Sequence, residues 1–288
     1  MTKESGLRIS VVTPSYNYGC FLEHCIRSVA SQNYSDLEHI VIDGGSTDQS
    51  VEVIRKYERR LAYWVSEPDN GQYDALNKGF GRATGDILAW LNADDLYTPW
   101  TFLVVGEIFR SFPEVEWVSS AYPLWWDERG AAVACKQVPG FSRRLVLSME
   151  KGIQQESTFW RRSLWERAGG YLDTSYKLAA DFELWARFWQ HAELYGVGVP
   201  LGGIRLHEKR RAVVQKRDYI REAEAIMKRY EGKRTGKFEM LLRRSLYALR
   251  VFIWPEGLRR RISELMFFKG KLIEYRDRHW QVQDVHFV

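Results

Sequence analysis

Between residues 9 and 112 the chain alternates short apolar runs with stretches of helical periodicity, and few folds accommodate that alternation. Residues 9–13 read as a first strand, ended by Pro14. Leu22, Cys25, Ile26 and Val29 then recur at helical spacing. Residues 38–43 read as a second strand. Ser46 with Gln49 has the spacing of a capping box, so a helix is expected from there. Residues 61–66 give a weaker third strand, 73–80 a helix, 87–91 a fourth strand and 99–112 another helix. Strands alternating with helices imply a parallel sheet covered by helices.

Two of these strands end in acids: the second in Asp43, the fourth in Asn92-Ala93-Asp94-Asp95. Carboxylates delivered by a buried strand are costly unless something binds them. A hard divalent cation, Mg²⁺ or Mn²⁺, is the natural partner. Ligands of open α/β sheets bind at the carboxyl ends of the strands, where these acids lie. The plainer alternative is a turn in which Asp95 opens the next helix. Neither G-x-G-x-x-G nor G-x-x-x-x-G-K-[ST] occurs, so the two common phosphate loops are absent.

Beyond residue 113 the rhythm changes. Residues 117–121 and 131–137 read as strands about a turn at 127–130. Residues 161–168 read as a helix closed by Gly169-Gly170. A further helix runs from 179 to 191 with Asp181 near its N-terminus, where the dipole favours a carboxylate. Residues 195–199 and 203–206 are short strand candidates, followed by His207. At 288 residues the chain holds one large domain or a domain with an appendage. Its three cysteines have no metal-type spacing and suggest a reduced, intracellular protein. The polar N-terminus gives no sign of a signal peptide, and no apolar run reaches membrane-spanning length.

Charge divides the chain. Residues 1–204 carry 20 Lys and Arg against 26 Asp and Glu, whereas 205–288 carry 22 against 11. From residue 217 the pattern is helical. In 237–254, Phe238, Leu241, Leu242, Leu246, Leu249, Phe252 and Ile253 share one face, with Lys237, Arg243, Arg244 and Arg250 opposite. A second such helix is expected over 258–275. Basic amphipathic helices suit an anionic membrane surface or a partner helix, including a second copy in a homodimer, better than nucleic acid.

Five segments together resemble the family 2 glycosyltransferases, which adopt the GT-A fold. They are residues 11–17 (VVTPSYN), 41–48 (VIDGGSTD), Asp69-Asn70-Gly71 with 75–79 (ALNKG), Asn92-Ala93-Asp94-Asp95 at the DxD position, and Ala180-Asp181-Phe182-Glu183 at the catalytic acid. The match spans about residues 8–210. The resemblance implies a GT-A domain over 1–210, with a nucleotide-binding half, 1–112, and an acceptor half, 113–210. A helical basic extension, 211–288, follows. It implies transfer, with inversion, from a nucleoside-diphosphate sugar to a hydroxyl of a glycan or lipid-linked acceptor in surface polysaccharide synthesis. Such an enzyme would work in the cytoplasm, peripherally on the inner face of the membrane.

The implied nucleotide-sugar contacts are Pro14, Ser15, Tyr16, Asn17, Asp43, Gly44, Ser46, Asp74, Asn77, Lys78, Asn92 and Ala93. A metal, Mn²⁺ or Mg²⁺, falls to Asp94 with Asp95, and His207 adds a metal or diphosphate contact. Asp181 is the base. Two departures matter: Asn92 replaces the first acid of the DxD, and Ala180 replaces the first acid of the catalytic pair, leaving Asp181 alone. The plain alternatives are that Tyr16 covers the core, Asp43 closes a turn, Asp181 only starts a helix and Lys78 is solvated. The tryptophans 125, 126 and 160 fit either a core or a sugar platform. Rival functions are a nucleotidyltransferase, which would want a glycine-rich basic loop after the first strand, and a non-catalytic sugar- or nucleotide-binding protein.

Overall fold

A computed structural model describes residues 6–208, 210, 214–233, 236–253 and 267–287. Its centre is a nine-stranded sheet. The strands are β1 (Ile9–Ser15), β2 (Leu37–Asp43), β3 (Tyr63–Ser66), β4 (Ile87–Trp90), β6 (Trp117–Ser120), β9 (Thr158–Arg161), β10 (Leu194–Val197), β12 (Phe268–Arg276) and β13 (His279–Phe287). Their order is β13-β12-β10-β6-β9-β4-β1-β2-β3. Strands β3, β2, β1 and β4 are parallel, whereas β9 runs antiparallel to both β4 and β6. A second sheet, β5-β11-β7-β8, joins Leu96–Tyr97, Gly202–Arg205, Leu124–Trp126 and Ala132–Cys135.

The first strand is buried throughout and continues past Pro14 to Ser15, in register with Asp43. Helices α1 (Gly19–Ala30), α2 (Ser50–Tyr57), α3 (Gln72–Phe80) and α4 (Thr101–Ser111) cover the sheet. The expected capping box does not form. Helix α2 starts at Ser50, and Asp48 rather than Ser46 takes its first amide, at 2.9 Å. Helix α3 crosses β1 so closely that a Cβ at Gly79 would strike Val12. The chain steps outward from β1 to β3 and then returns to β4 on the other side of β1. The crevice between the ends of β1 and β4 is therefore the topological switch point, where ligands of such sheets bind.

Beyond α4 come α5 (Arg143–Leu147), α6 (Arg162–Arg167) and α7 (Ala180–Phe188). A strand, β9, occupies Thr158–Arg161 just before α6, because Phe159 and Trp160 are needed between β4 and β6. Trp160 is fully buried. With Trp90, Trp117, Trp185 and Phe188 it forms the aromatic centre of the core, ring centroids 5.3–6.3 Å apart. It is a core residue and not a sugar platform.

The last third is not uniformly helical. Helix α8 (Lys216–Arg229) and helix α9 (Lys237–Ile253) form as expected. Over 268–275 the expected second amphipathic helix does not form. Residues 258–266 of that expectation lie outside the described residues, and 268–275 are strand β12. The hairpin β12–β13 turns at Asp277–Arg278, both with positive φ, and β12 adds in parallel to β10. Ile273 thereby reaches the core beside Phe159 and Val197. Strands β12 and β13 thus complete one edge of the main sheet.

Candidate active site

A cleft of about 860 Å³ opens at the switch point. The end of β1 supplies Pro14, Ser15 and Tyr16, and the loop after β2 supplies Gly44 and Gly45. Asp69, Gly71, Gln72 and Tyr73 come from the entry to α3. The turn after β4 brings Asn92, Ala93, Asp94 and Asp95. The far wall carries Gln154, Gln155, Glu156, Leu178, Asp181, Ile204, Arg210 and Tyr219. Tyr16 is 59% exposed, so its ring is free to cover a ligand rather than the core.

The turn after β4 is braced from a distance. Arg205 on β11 is fully buried, and its Nε donates to the Asp94 carbonyl at 2.7 Å. Its backbone amide donates to Asp95 Oδ1 at 3.0 Å, and its Nη1 to the Glu128 carbonyl at 2.7 Å. Asn92 is held by its own network: Gln72 donates to its Oδ1 at 2.7 Å, and its Nδ2 donates to Asp95 Oδ2 at 3.2 Å and Gln155 Oε1 at 3.3 Å. The second oxygen of Asp95 is thus also occupied. Asp94 points elsewhere, and its Oδ2 lies 2.9 Å from His207 Nε2. The His207 side chain is buried against Phe21 and Tyr18, and its Nδ1 has no partner.

Of the three residues expected at a metal, Asp94 and His207 therefore meet. Asp95 serves the turn instead. Among the described residues no three His, Cys, Asp or Glu side chains are grouped to hold a metal ion. A carboxylate and an imidazole are nonetheless a fitting pair for Mn²⁺ or Mg²⁺ when substrate phosphates complete the shell, as such ions commonly require.

Asp181 stands near the start of α7. Its Oδ1 accepts the Phe182 amide at 2.8 Å. Burial pushes its carboxyl up to about 6, and the charge of Glu222 adds to the effect. A carboxyl poised near neutrality is suited to general-base work. Burial, then the charge of Asp94, raises Asp95 well above the usual range; burial, then Asp95, does the same to Glu156.

Several expected contacts are struts and do not line the cleft. Asp43 is fully buried, with its oxygens taken by Ser46 and Ser66 at 2.5–2.8 Å. It closes the turn at Gly44-Gly45. Asn17, at φ 56°, and Ser46 tie the two nucleotide-side loops together through Asn17 N to Ser46 Oγ and Thr47 N to Asn17 Oδ1, both 2.8 Å. Asn77 pins Leu172 through its N–H and carbonyl at 2.8 and 2.9 Å. Asp74 accepts the Asn70 amide at 3.0 Å, and Lys78 pairs with Glu67 at 3.2 Å. Residues not singled out beforehand enter in their place. Asp69 was visible in the Asp69-Asn70-Gly71 segment. Gln155, Glu156, Arg205, Arg210 and Tyr219 carried no local signal.

A family profile described as "Glycosyl transferase family 2" matches residues 10–119. An uncharacterised glycosyltransferase of Mycobacterium tuberculosis is 36% identical over 179 residues, covering 61% of this chain and 66% of that protein. Among solved structures, S. aureus TarS 1-349 in complex with UDP-GlcNAc is similar with a TM-score of 0.60 at 15% identity, over 88% of this chain and 78% of that one. The mannosyltransferase PcManGT from Pyrobaculum calidifontis, in complex with GDP-Man and Mn²⁺, gives 0.56 at 20% identity, over 81% and 67%. These likenesses establish the shared fold.

Proposed function

The chain belongs to the family 2 glycosyltransferases, and from that premise we propose that it moves a sugar, with inversion, from a nucleoside-diphosphate sugar to an acceptor hydroxyl. One observation carries the reading: a single cleft at the switch point is lined both by Asp94, paired with His207, and by Asp181 with its raised carboxyl. The two structural neighbours, solved with UDP-GlcNAc and with GDP-Man and Mn²⁺, support the choice of donor class and of a divalent cation.

In this reading the nucleotide lies over Pro14–Tyr16, Gly44 and Gly45, with Tyr16 stacking on the base and Asp69 accepting from it. Asp94 and His207 would hold Mn²⁺ or Mg²⁺, which when bound neutralises charge growing on the leaving diphosphate. Asp181, ionised, takes the proton from the acceptor hydroxyl as that oxygen attacks the anomeric carbon. The sugar–phosphate bond breaks on the opposite side, which inverts the centre. Proton removal by a positioned carboxylate supplies about 10²–10⁴-fold.

The acceptor we favour is lipid-linked, met at the inner face of a membrane during polysaccharide synthesis. No described helix is long and apolar enough to cross a membrane. Helix α9 instead presents apolar side chains to solvent: Phe238 is 79% and Leu241 64% exposed.

Incubating the protein with a panel of nucleoside-diphosphate sugars, Mn²⁺ or Mg²⁺, and a membrane lipid extract tests the reading. Release of nucleoside diphosphate with radiolabelled sugar in lipid is expected. Pyrophosphate release would instead identify a nucleotidyltransferase, and binding without turnover a non-catalytic protein.

A further inference from the structure

Helix α8 lies beyond the segment matched by the family profile, yet it packs against the helix that carries Asp181. Ala223 and Ile226 are fully buried against Ala179, Phe182, Ala186 and Leu147. A helix start leaves its first amides without intrahelical partners. The residue ahead of α7, Ala179, has no side chain able to cap them. Glu222, from α8, instead ties down the turn that leads into α7 up to its N-cap residue Ala179. Its carboxylate accepts the consecutive amides of Lys177, Leu178 and Ala179 at 2.9, 2.9 and 3.0 Å. Hydrogen bonds to an ionised acceptor are about twice as strong as neutral ones. At the end of α8, Tyr230 donates to Glu183 Oε1 at 2.6 Å, and Glu183 is itself buried against Arg187 at 2.8 Å. The chain is therefore held by one downstream segment on both sides of Asp181, at residues 177–179 and at Glu183.

One turn before Glu222, Tyr219 enters the cleft, where it lines the same wall as Asp181, Leu178 and Ile153. Burial, and then the charge of Asp181, raises its phenol, so it stays protonated at any working pH. An aromatic ring with two aliphatic side chains beside a base offers a surface for the C–H face of a pyranose.

We propose that α8 completes the acceptor half of the active site: Glu222 is a positioning residue for Asp181, and Tyr219 is the wall against which a pyranose acceptor rests. This rests on Asp181 being the base. Around Asp181 the charged and titratable groups are Glu222 and Tyr219 on α8, with Asp69, Asp94, Asp95, Glu156, Arg210, Tyr16, Tyr18 and Tyr73 lining the same cleft. Loss of packing would expose the Asp181 carboxyl and lower its pKa too, so the charge is removed in E222Q, which keeps the side-chain volume and the packing; there the loss of the Glu222 charge lowers the Asp181 pKa.

The test uses the full chain as E222Q, E222A, Y219F and Y219A. Amide exchange at residues 177–179 is expected to accelerate at least tenfold in E222Q. The Asp181 carboxyl, followed by ¹³C NMR and assigned with D181N, is expected to titrate at lower pH in E222Q. Saturation-transfer NMR with methyl α-mannopyranoside and methyl β-glucopyranoside is expected to show binding by wild type and Y219F that Y219A loses. Unchanged exchange and titration in E222Q overturn the positioning role, and E222A repeats both measurements should the glutamine preserve the bonds. No pyranoside binding by wild type, or equal binding by Y219A, overturns the wall. Full turnover by D181N would instead remove the base reading and leave these binding results standing.

Discussion

At the scale of single residues, the acids legible in the sequence divide by what else the fold asks of them. Asp94 and Asp95 are adjacent and chemically equal, but Arg205 and Asn92 take up Asp95 while Asp94 turns toward His207. No local pattern distinguishes them, because the residue that decides is 110 positions away. Asp94→Ala should therefore abolish Mn²⁺-dependent transfer and weaken nucleoside-diphosphate binding without unfolding the chain; calorimetric titration of the nucleotide with and without Mn²⁺ checks this. Asp181 yields a pH prediction. Its folded pKa, about 6, lies above the ordinary 3.8. The native state thus holds the proton more tightly than the unfolded chain, and the stabilisation present below pH 4 is lost as pH rises through 6. Asp181→Asn should melt at higher temperature than wild type at pH 8, with the difference shrinking toward pH 4. Its turnover should fall by about 10² or more, and wild-type activity should rise with pH through an acid limb near 6. A drop under tenfold would mean that another group takes the proton.

Among the elements, the first half was legible because strand period and helix period alternate cleanly, and β1 to β4 with α1 to α4 appear within a few residues of expectation. The C-terminal hairpin was not. Lys269, Gly270, Lys271, Leu272 and Ile273 show no clean alternation, and Asp277-Arg278 lacks the Asn-Gly or Asp-Gly signature of a two-residue turn. What makes them a strand is the open edge of β10, where Tyr195, Gly196 and Val197 await a partner. Ile273 is fully buried there, whereas Val282 on the outer strand is 36% exposed. Truncating a buried isoleucine to alanine costs about 2–5 kcal/mol. Ile273→Ala should lower the urea midpoint accordingly, and Val282→Ala should leave it nearly unchanged. Equal, small effects would mean that the hairpin does not belong to the cooperative core.

For the molecule as a whole, helix α9 docks on the body through a mixed face of Glu239, Met240, Arg243 and Tyr247. Arg243 faces inward: it lies over the Phe268 ring at 4.8 Å and pairs with Glu239 at 2.8 Å, and Glu239 also binds Arg144 at 2.9 Å. Met240 and Tyr247 join this contact against Leu145, Phe267 and Phe268. Three residues of the apolar stripe are left outside, Phe238, Leu241 and Leu242, at 79%, 64% and 44% exposed. Arg244, two positions after Leu242, is exposed as well, in the part of the chain where cations outnumber acids by 22 to 11. Anionic lipid attracts each such cation by about 1 kcal/mol, and the stripe adds area buried among the acyl chains. The full chain should therefore sediment with phosphatidylglycerol vesicles at low salt, less so at high salt, and poorly with phosphatidylcholine vesicles. Replacing Phe238, Leu241 and Leu242 together by serine should release it while leaving its melting temperature unchanged, since these side chains touch solvent. If wild type ignores the anionic vesicles, or the triple variant binds them equally well, the membrane assignment fails. A dimer in analytical ultracentrifugation that the triple variant dissolves would show instead that a second copy covers the stripe.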